Sequence, residues 1–184
     1  MKVFQRIFIL LLIFKKIEAQ TYNWPIFPPE FVVSSTFGEF RLGFSYTESH
    51  FHEGIDIPAT TSKSVFPITL GFQVGNMFYN PQIGWVVEVR HYKDDCSTVI
   101  NEGSRYLHMN AIDEGIQPGE IYCGDAISTN TTFVNNHLHL ELKRPYQVPL
   151  ENTNSINPFT IPALRIDDYQ APIIKNLTKN FFPL

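Results

Sequence analysis

Three separated groups of histidine contain the residues of this chain that are best suited to chemistry. His52 and Asp56 lie in HFHEGIDI, His108 lies in YLHM, and His137 and His139 lie in HLHLEL. Two histidines and one carboxylate form the ligand set of a zinc site that keeps one coordination position open for water. Two histidines then remain for proton transfer, because imidazole titrates near neutral pH. The residue types therefore indicate a hydrolytic metal centre.

The first group does not suit a helix. Gly54 and Pro58 both disfavour helical structure, so we expect a strand end or a loop. A tight turn at Gly54 would let the side chains of His52 and Asp56 converge on one metal ion. The HxxxD pattern alone is common, and His50 is an alternative ligand two residues earlier.

The third group is the strongest signal. On a β-strand, residues two apart point to the same face, so His137 and His139 would project together while the leucines of HLHLEL enter the core. Two imidazoles on an otherwise apolar strand are costly unless something uses them. The alternative is a pair of surface histidines on an edge strand. Glu141 shares their face, where it would either orient an imidazole or be solvated.

The remaining histidines are less informative. His108 follows an aromatic and aliphatic run, and His91 lies in VRHYK. Taken alone, each is typical of a structural histidine whose hydrogen bonds are satisfied.

The elements that must position these groups read as short strands. From residue 32 to residue 142, apolar runs alternate with turn signals. The predicted strands include residues 64–70, 84–90, 103–107 and 137–142, and the predicted turns are residues 80–81, 117–119 and 130–136. No amphipathic helix pattern of useful length is present. We therefore predict a mainly β fold with a mostly antiparallel sheet, whose face carries the metal and whose loops form the walls of a groove.

Composition agrees with a globular β protein. The chain has 184 residues, of which 43% are hydrophobic and 17% charged, with sixteen Phe, eight Tyr and thirteen Pro. Aromatic residues favour strands and proline favours turns. This length suffices for one domain with its own core.

Residues 1–19 are predicted to be a signal peptide. Lys2 and Arg6 precede an apolar run over residues 7–14, and a plausible cleavage site lies between Ala19 and Gln20. The run is shorter than the roughly 20 apolar residues that span a bilayer, which argues against the alternative of an uncleaved anchor. We therefore expect a secreted, periplasmic or cell-envelope protein without a stable membrane span.

Removal of the signal peptide would leave an acidic chain. Ten basic and seventeen acidic residues would remain, giving a net charge of −7. Nucleic-acid binding is not expected, because phosphate contacts need clustered Lys and Arg.

The rest of the chain divides into three predicted parts. Residues 20–34 form an extended lead-in, residues 35–160 form the main domain, and residues 161–184 form a tail. The tail is either the start of a further β module or a strand that packs back on the domain. Cys96 and Cys123 could pair after export, although the sequence does not show that they meet.

Taken together, the motifs resemble the lysostaphin-type, or LytM-like, zinc metallopeptidases that cut peptidoglycan peptides. The resemblance runs from about residue 35 to residue 159. Its segments, in chain order, are TFGEFRLG with HFHEGIDI, SKSVFPITLGFQV, GWVVEVRH, RYLHM, GEIYCGDAIS, and HLHLEL with NPF after it. The order of the motifs makes the resemblance specific, since no one of them is decisive.

The resemblance implies a role for each histidine group. His52, Asp56 and His139 would be the ligands of one zinc ion, and His108 and His137 would be catalytic histidines that do not bind it. A zinc-activated water would attack a peptide carbonyl, with both catalytic histidines helping to orient or deprotonate that water and to stabilise charge. Tyr106 would be an additional hydrogen-bond donor.

Two loops depart from the family pattern. TNTTFVNN, before the His-x-His strand, lacks the usual glycine, and the hairpin around Asp94, Asp95 and Cys96 is atypical. Both loops would line a substrate groove, so the differences concern specificity.

Three functions follow from this reading. The first is a zinc endopeptidase acting on peptidoglycan peptides. The second is a zinc-binding regulatory or wall-binding module on the same fold, without catalysis. The third is a structural β domain whose histidines are incidental.

Overall fold

The computed structural model describes residues 20–26, 32–42, 49–147 and 154–164. The predicted signal peptide and residues 165–184 lie outside this part. The strands of the described residues are β1 (Phe40–Arg41), β2 (His50–Phe51), β3 (Ile55–Pro58), β4 (Lys63–Val65), β5 (Gly71–Asn80), β6 (Gly84–Tyr92), β7 (Val99–Met109), β8 (Ile121–Cys123), β9 (Ser128–Thr131), β10 (His137–Lys143) and β11 (Ser155–Ile156).

The main sheet has seven strands, and every neighbouring pair in it is antiparallel. Its principal path is β11-β10-β7-β6-β5-β8. β10 pairs with β7 along one edge, and its other edge is shared by β3 and β11. Two smaller sheets, β1-β2 and β4-β9, complete the strands. This architecture confirms the prediction of a mainly β, mostly antiparallel fold.

Residue alternation along β10 separates the two faces of the sheet. Leu138, Leu140 and Leu142 have no exposed surface and belong to the hydrophobic core. His139 and Glu141 point to the opposite face, as period-two alternation requires. We call this opposite face the front face and define it by the odd-numbered residues 137–143 of β10.

The core extends beyond the main sheet. Trp24 and Ile26, from the predicted lead-in, are buried in it, as are Ile161 and Leu164 from the start of the predicted tail. Single bridges join the first of these segments to the domain, at Tyr22 with Thr69 and at Ile26 with Val65. Segments at both ends of the described chain therefore supply core surface to the same domain.

Element boundaries differ from the predictions in two loops. The apolar run 64–70 forms a strand only over Lys63–Val65, because Pro67 lacks an N–H for a sheet ladder. The predicted turn 130–136 is wrong in its first part, since β9 extends to Thr131 and only Val134–Asn136 turns, as a 3-10 helix. The short polar residues of β9 pair with β4.

A disulfide joins Cys96 to Cys123, with the two Cα atoms 5.6 Å apart. It ties the β6–β7 loop to the end of β8, which are 27 residues apart in sequence. In the described residues, no helix has the length and hydropathy to cross a bilayer.

Candidate metal centre

Three potential metal ligands converge at the junction of β3 and β10. His52 Nε2 lies 2.9 Å from His139 Nδ1 and 3.1 Å from Asp56 Oδ1, and the latter two atoms are 2.7 Å apart. All three residues are buried. Among the described residues, this is the group of histidines, cysteines and carboxylates whose geometry could hold a metal ion.

The pairing of β3 with β10 sets this geometry. Asp56 and His139 are Cα partners in the antiparallel ladder, so their side chains share the front face. His52 reaches them across the turn at Gly54, whose backbone packs closely against β10. A Cβ at Gly54 would lie 2.3 Å from the Leu140 carbonyl oxygen. Glycine is therefore required there by close approach of two backbones.

The outward-facing nitrogens of the two rings fix their tautomers. His52 Nδ1 lies 2.9 Å from the carbonyl oxygen of Thr36, which can only accept a hydrogen bond. His139 Nε2 lies 3.2 Å from Glu141 Oε1. Although burial opposes ionisation, hydrogen bonding to His139 and the charges of Arg105 and Lys143 lower the pKa of Glu141 to about 2. Glu141 is thus a carboxylate, and it also accepts.

It follows that each neutral ring directs the lone pair of its other nitrogen towards Asp56 Oδ1. The inward atoms, His52 Nε2 and His139 Nδ1, are 2.9 Å apart with Asp56 Oδ1 beside them. Two lone pairs and a carboxylate oxygen at this distance repel one another unless a proton or a metal cation lies between them. Imidazole nitrogen and carboxylate oxygen are ligands that zinc prefers, and ligands around a tetrahedral zinc are roughly 3.4 Å apart. The residues therefore fit a zinc ion.

Two further imidazoles border this donor set. The ring centroids of His108 and His137 are 4.6 Å apart, and His108 is 6.0 Å from His139. His137 Nε2 lies 3.6 Å from Asp56 Oδ1. The Nδ1 atoms of both rings face backbone carbonyls, of Ile83 for His108 and of Asn135 for His137. Each neutral ring therefore keeps Nε2 as a proton acceptor.

His108 reaches the front face because of a β-bulge. The β6–β7 ladder pairs Trp85 with Met109 and Val86 with Leu107, which leaves His108 without a partner. Its φ of 77° lies in the left-handed region, which is unfavourable for a residue with a Cβ. Tyr106 is in the core and Leu107 is outside it, so regular alternation would have turned His108 towards the core and Met109 away from it. The bulge instead places His108 beside His137.

Burial and neighbouring groups shift the pKa values of His108, His139 and Asp56 in different directions. Burial lowers the pKa of His108. The hydrogen bond to the Ile83 carbonyl opposes this effect, and nearby His137 and His139 each add a smaller lowering effect. Burial alone would also lower the pKa of His139, but Asp56 and Glu141 outweigh it and raise the value. Burial would raise the pKa of Asp56, but hydrogen bonds with His139 and His52 hold it well below its usual range.

Arg41 is a site residue that sequence reasoning missed. Its guanidinium donates to Asp56 Oδ2 at 2.5 Å, which leaves Oδ1 facing the imidazoles. It also donates to Ser35 Oγ. Arg41 lies fifteen residues before Asp56 in TFGEFRLG, and no periodic pattern connects the two. The β1–β2 ladder and the pairing of residues 34–35 with β3 bring them together.

Three residues considered from the sequence lie outside the site. His50 is exposed on β2, opposite Arg41 in the β1–β2 ladder. His91 is buried and bonded to Glu102 and Ser104. Tyr106 was expected to donate within the site, and this is wrong. It is fully buried in the core, where its hydroxyl accepts from the Ile68 N–H.

Comparison with known proteins supports the fold. No protein-family model matches the chain, and no curated protein sequence matches it. Among solved structures, lysostaphin from Staphylococcus simulans aligns with a TM-score of 0.57 at 12% identity, over 86% of this chain and 61% of that one. A zinc-containing peptidase from Vibrio cholerae aligns with a TM-score of 0.54 at 19% identity, over 80% of this chain and 40% of that one.

A third solved structure is the SpoIIQ–SpoIIIAH pore-forming complex. One of its chains aligns with a TM-score of 0.55 at 17% identity, over 78% of this chain and 91% of that one. The identities are low, so these likenesses establish the fold. They confirm the lysostaphin-type fold expected from the sequence resemblance. The chain spans less than two thirds of the length of the two peptidase chains.

Proposed function

We propose that the protein is a secreted zinc endopeptidase that hydrolyses peptide bonds in peptidoglycan stem peptides or cross-links. The observation that carries the proposal is the inward orientation of His52, Asp56 and His139, with two further imidazoles beside them. The folds of lysostaphin and the zinc-containing peptidase support the reaction class. One zinc ion per chain would supply Lewis-acid activation of water and of a peptide carbonyl.

The chain's own residues would contribute in distinct ways. His52, Asp56 and His139 would hold the ion, and Glu141 would keep His139 in the tautomer that presents Nδ1. His137 and His108 would accept a proton at Nε2 and, once protonated, donate a hydrogen bond to the developing negative charge. The lowered pKa of His108 favours its neutral, proton-accepting form.

Residues 1–19 and the disulfide support export. Residues 1–19 have the sequence features of a signal peptide, and the Cys96–Cys123 disulfide is typical of proteins in an oxidising compartment. Peptidoglycan would be encountered there.

The first prediction concerns His139. His139→Ala should abolish zinc binding and hydrolysis together, because it removes one ligand of the set. The measurement is zinc content by elemental analysis, combined with mass spectrometry of peptides released from purified peptidoglycan. His50→Ala is the matched control, since His50 is close in sequence to His52 but outside the donor set, and it should retain both properties. Hydrolysis that survives the loss of His139 would overturn the mechanism.

A second candidate is a zinc-binding regulatory module without catalysis. The alignment with a chain of the SpoIIQ–SpoIIIAH complex favours it, since that fold there assembles with a protein partner. Stoichiometric zinc without hydrolysis of any peptidoglycan peptide would support this candidate over the enzyme. The presence of both non-ligand histidines beside the donor set favours the enzyme.

A further inference from the structure

An apolar row crosses the front face from the metal centre. His139 on β10 is the Cα partner of Leu107 on β7, Leu107 is the partner of Val86 on β6, and Val86 is the partner of Phe78 on β5. Neighbouring strands are about 4.8 Å apart, so the row extends roughly 14 Å from His139. We call Leu107, Val86 and Phe78 the apolar row.

Leu107 and Phe78 lie outside the hydrophobic core, and Val86 between them is buried. Their neighbours on the same strands point to the other face, where Tyr106 and Val87 belong to the core and Met77 packs against it. Val86 is 2% exposed, whereas Phe78 is 44% exposed. The front face thus offers apolar surface at Leu107, beside the metal donor set, and at Phe78, with Val86 buried between them.

The rows on either side are polar. On one side, Arg105 donates to Glu88 Oε1 and to Glu141 Oε2, at 2.8 and 3.2 Å. Arg105 thus forms an ion pair with each of these two carboxylates. On the other side are His137 and His108. On the sheet, a substrate peptide over the metal would therefore meet polar groups on both flanks of the row and apolar surface along it.

We propose that the apolar row is a subsite for an apolar side chain of the substrate peptide, within about four residues of the cleaved bond. The distance follows from the rise of about 3.3 Å per residue in an extended chain. The enzyme would then prefer peptides with alanine or a larger apolar residue at that position over peptides with glycine. This inference rests on the proposed function, because it assumes that a peptide lies across the metal centre.

The expected size of the preference follows from hydrophobic pockets in general. One methylene group in such a pocket changes specificity by about 10- to 200-fold. The half-open arrangement of the row favours the lower end of this range. We expect kcat/KM to be about tenfold higher for a leucine or alanine peptide than for its glycine counterpart.

The test uses pairs of peptides that differ only in having leucine or glycine at one position, which is moved through the four residues on either side of the cleaved bond. The kcat/KM of each pair is measured for the wild type, Phe78→Ser and Tyr79→Ser. Tyr79 is the matched control, because it is the next residue on β5, is similarly exposed and points to the other face, towards Trp85. Phe78→Ser should reduce the preference several-fold without loss of zinc, and Tyr79→Ser should leave it unchanged.

Equal cleavage of the two peptides of every pair by the wild type, or an unchanged preference in Phe78→Ser, would overturn the subsite. If no peptide is hydrolysed, the proposed function fails, and the affinities of the same peptides for the zinc-loaded protein decide the inference. Tighter binding of the apolar peptide that Phe78→Ser abolishes would support the subsite. Equal affinities would overturn it.

Discussion

At the scale of single residues, the metal centre depends on groups that orient the imidazoles from behind. Glu141 Oε1 accepts from His139, while Glu141 Oε2 lies 2.7 Å from Lys143 Nζ and 3.2 Å from Arg105. A carboxylate clamped in this way fixes both the ring's tautomer and its rotation. Such outer partners contribute strongly to metal affinity although they do not touch the ion.

We expect Glu141→Gln to weaken zinc binding by about 10- to 100-fold. The amide has the same shape, but it carries no charge and can turn a donor towards the ring. Affinity would be measured by competition with a chromogenic chelator, and thermal unfolding would be followed in parallel to separate metal loss from misfolding. Glu114→Gln, in an exposed loop, is the control. Unchanged affinity in Glu141→Gln would show that Glu141 does not orient His139.

Much of this residue-scale arrangement could be predicted from HLHLEL. Alternation placed the leucines in the core and His137, His139 and Glu141 on the opposite face, because period two is a local property of a strand. Which histidine pairs with Asp56 came from the resemblance, and the catalytic and ligand roles stay predictions until metal is measured. The contact of Arg41 with Asp56 could not be predicted, since it depends on a long-range pairing.

At the scale of elements, the site lies where β3 pairs with β10, and its geometry requires the two backbones to pack closely. Gly54 lets the turn before β3 lie against β10, and the bulge in the β6–β7 ladder turns His108 to the front face. The position of β6 could be predicted from the alternation of apolar and polar residues in the sequence. The bulge could not, because a single extra residue leaves no periodic signal and its left-handed φ occurs at a histidine, not a glycine.

Gly54→Ala should destabilise the fold by about 1–3 kcal/mol and lower zinc affinity. Its Cβ would meet the Leu140 carbonyl and, at 2.9 Å, His139 Nε2, so β3 and β10 must separate at the metal centre. Thermal unfolding and zinc titration would measure the two effects. Gly115→Ala is the control, because no atom lies within 4 Å of its added Cβ. Equal behaviour of the two variants would contradict this account of the junction.

At the scale of the whole molecule, a buried polar network joins distant parts of the chain. Glu102 is 1% exposed and bonds to His91, to Tyr22 in the N-terminal segment and to Arg144 after β10. Burial opposes its ionisation, but hydrogen bonds with His91, Arg144 and Tyr22 outweigh burial and lower its pKa to about 2. The carboxylate form therefore stabilises the folded state.

This network predicts a pH dependence of stability. Because the folded pKa of Glu102 is below the ordinary value of 4.5, its contribution is fully present above about pH 4.5 and is lost as pH falls towards 2. The contribution is at most about 3 kcal/mol. Glu102→Gln should be less stable than the wild type at pH 7 and should lose less stability on acidification. Chemical denaturation across this pH window would measure the free energy of unfolding of both proteins. If this free energy fell equally with pH in Glu102→Gln and in the wild type, Glu102 would not be the source of the pH dependence.

The burial of Trp24 and Ile26 has a practical consequence for anyone who makes this protein. The stretch defined by its motifs, from residue 35 onwards, is not the stretch that folds, because a recombinant version trimmed to it would lose two large side chains from the interior. Phe66 and Ile68 would also lose their main-chain hydrogen bonds to Pro25 and Asn23. A shortened product would be prone to aggregate, and its inactivity would reveal nothing about catalysis.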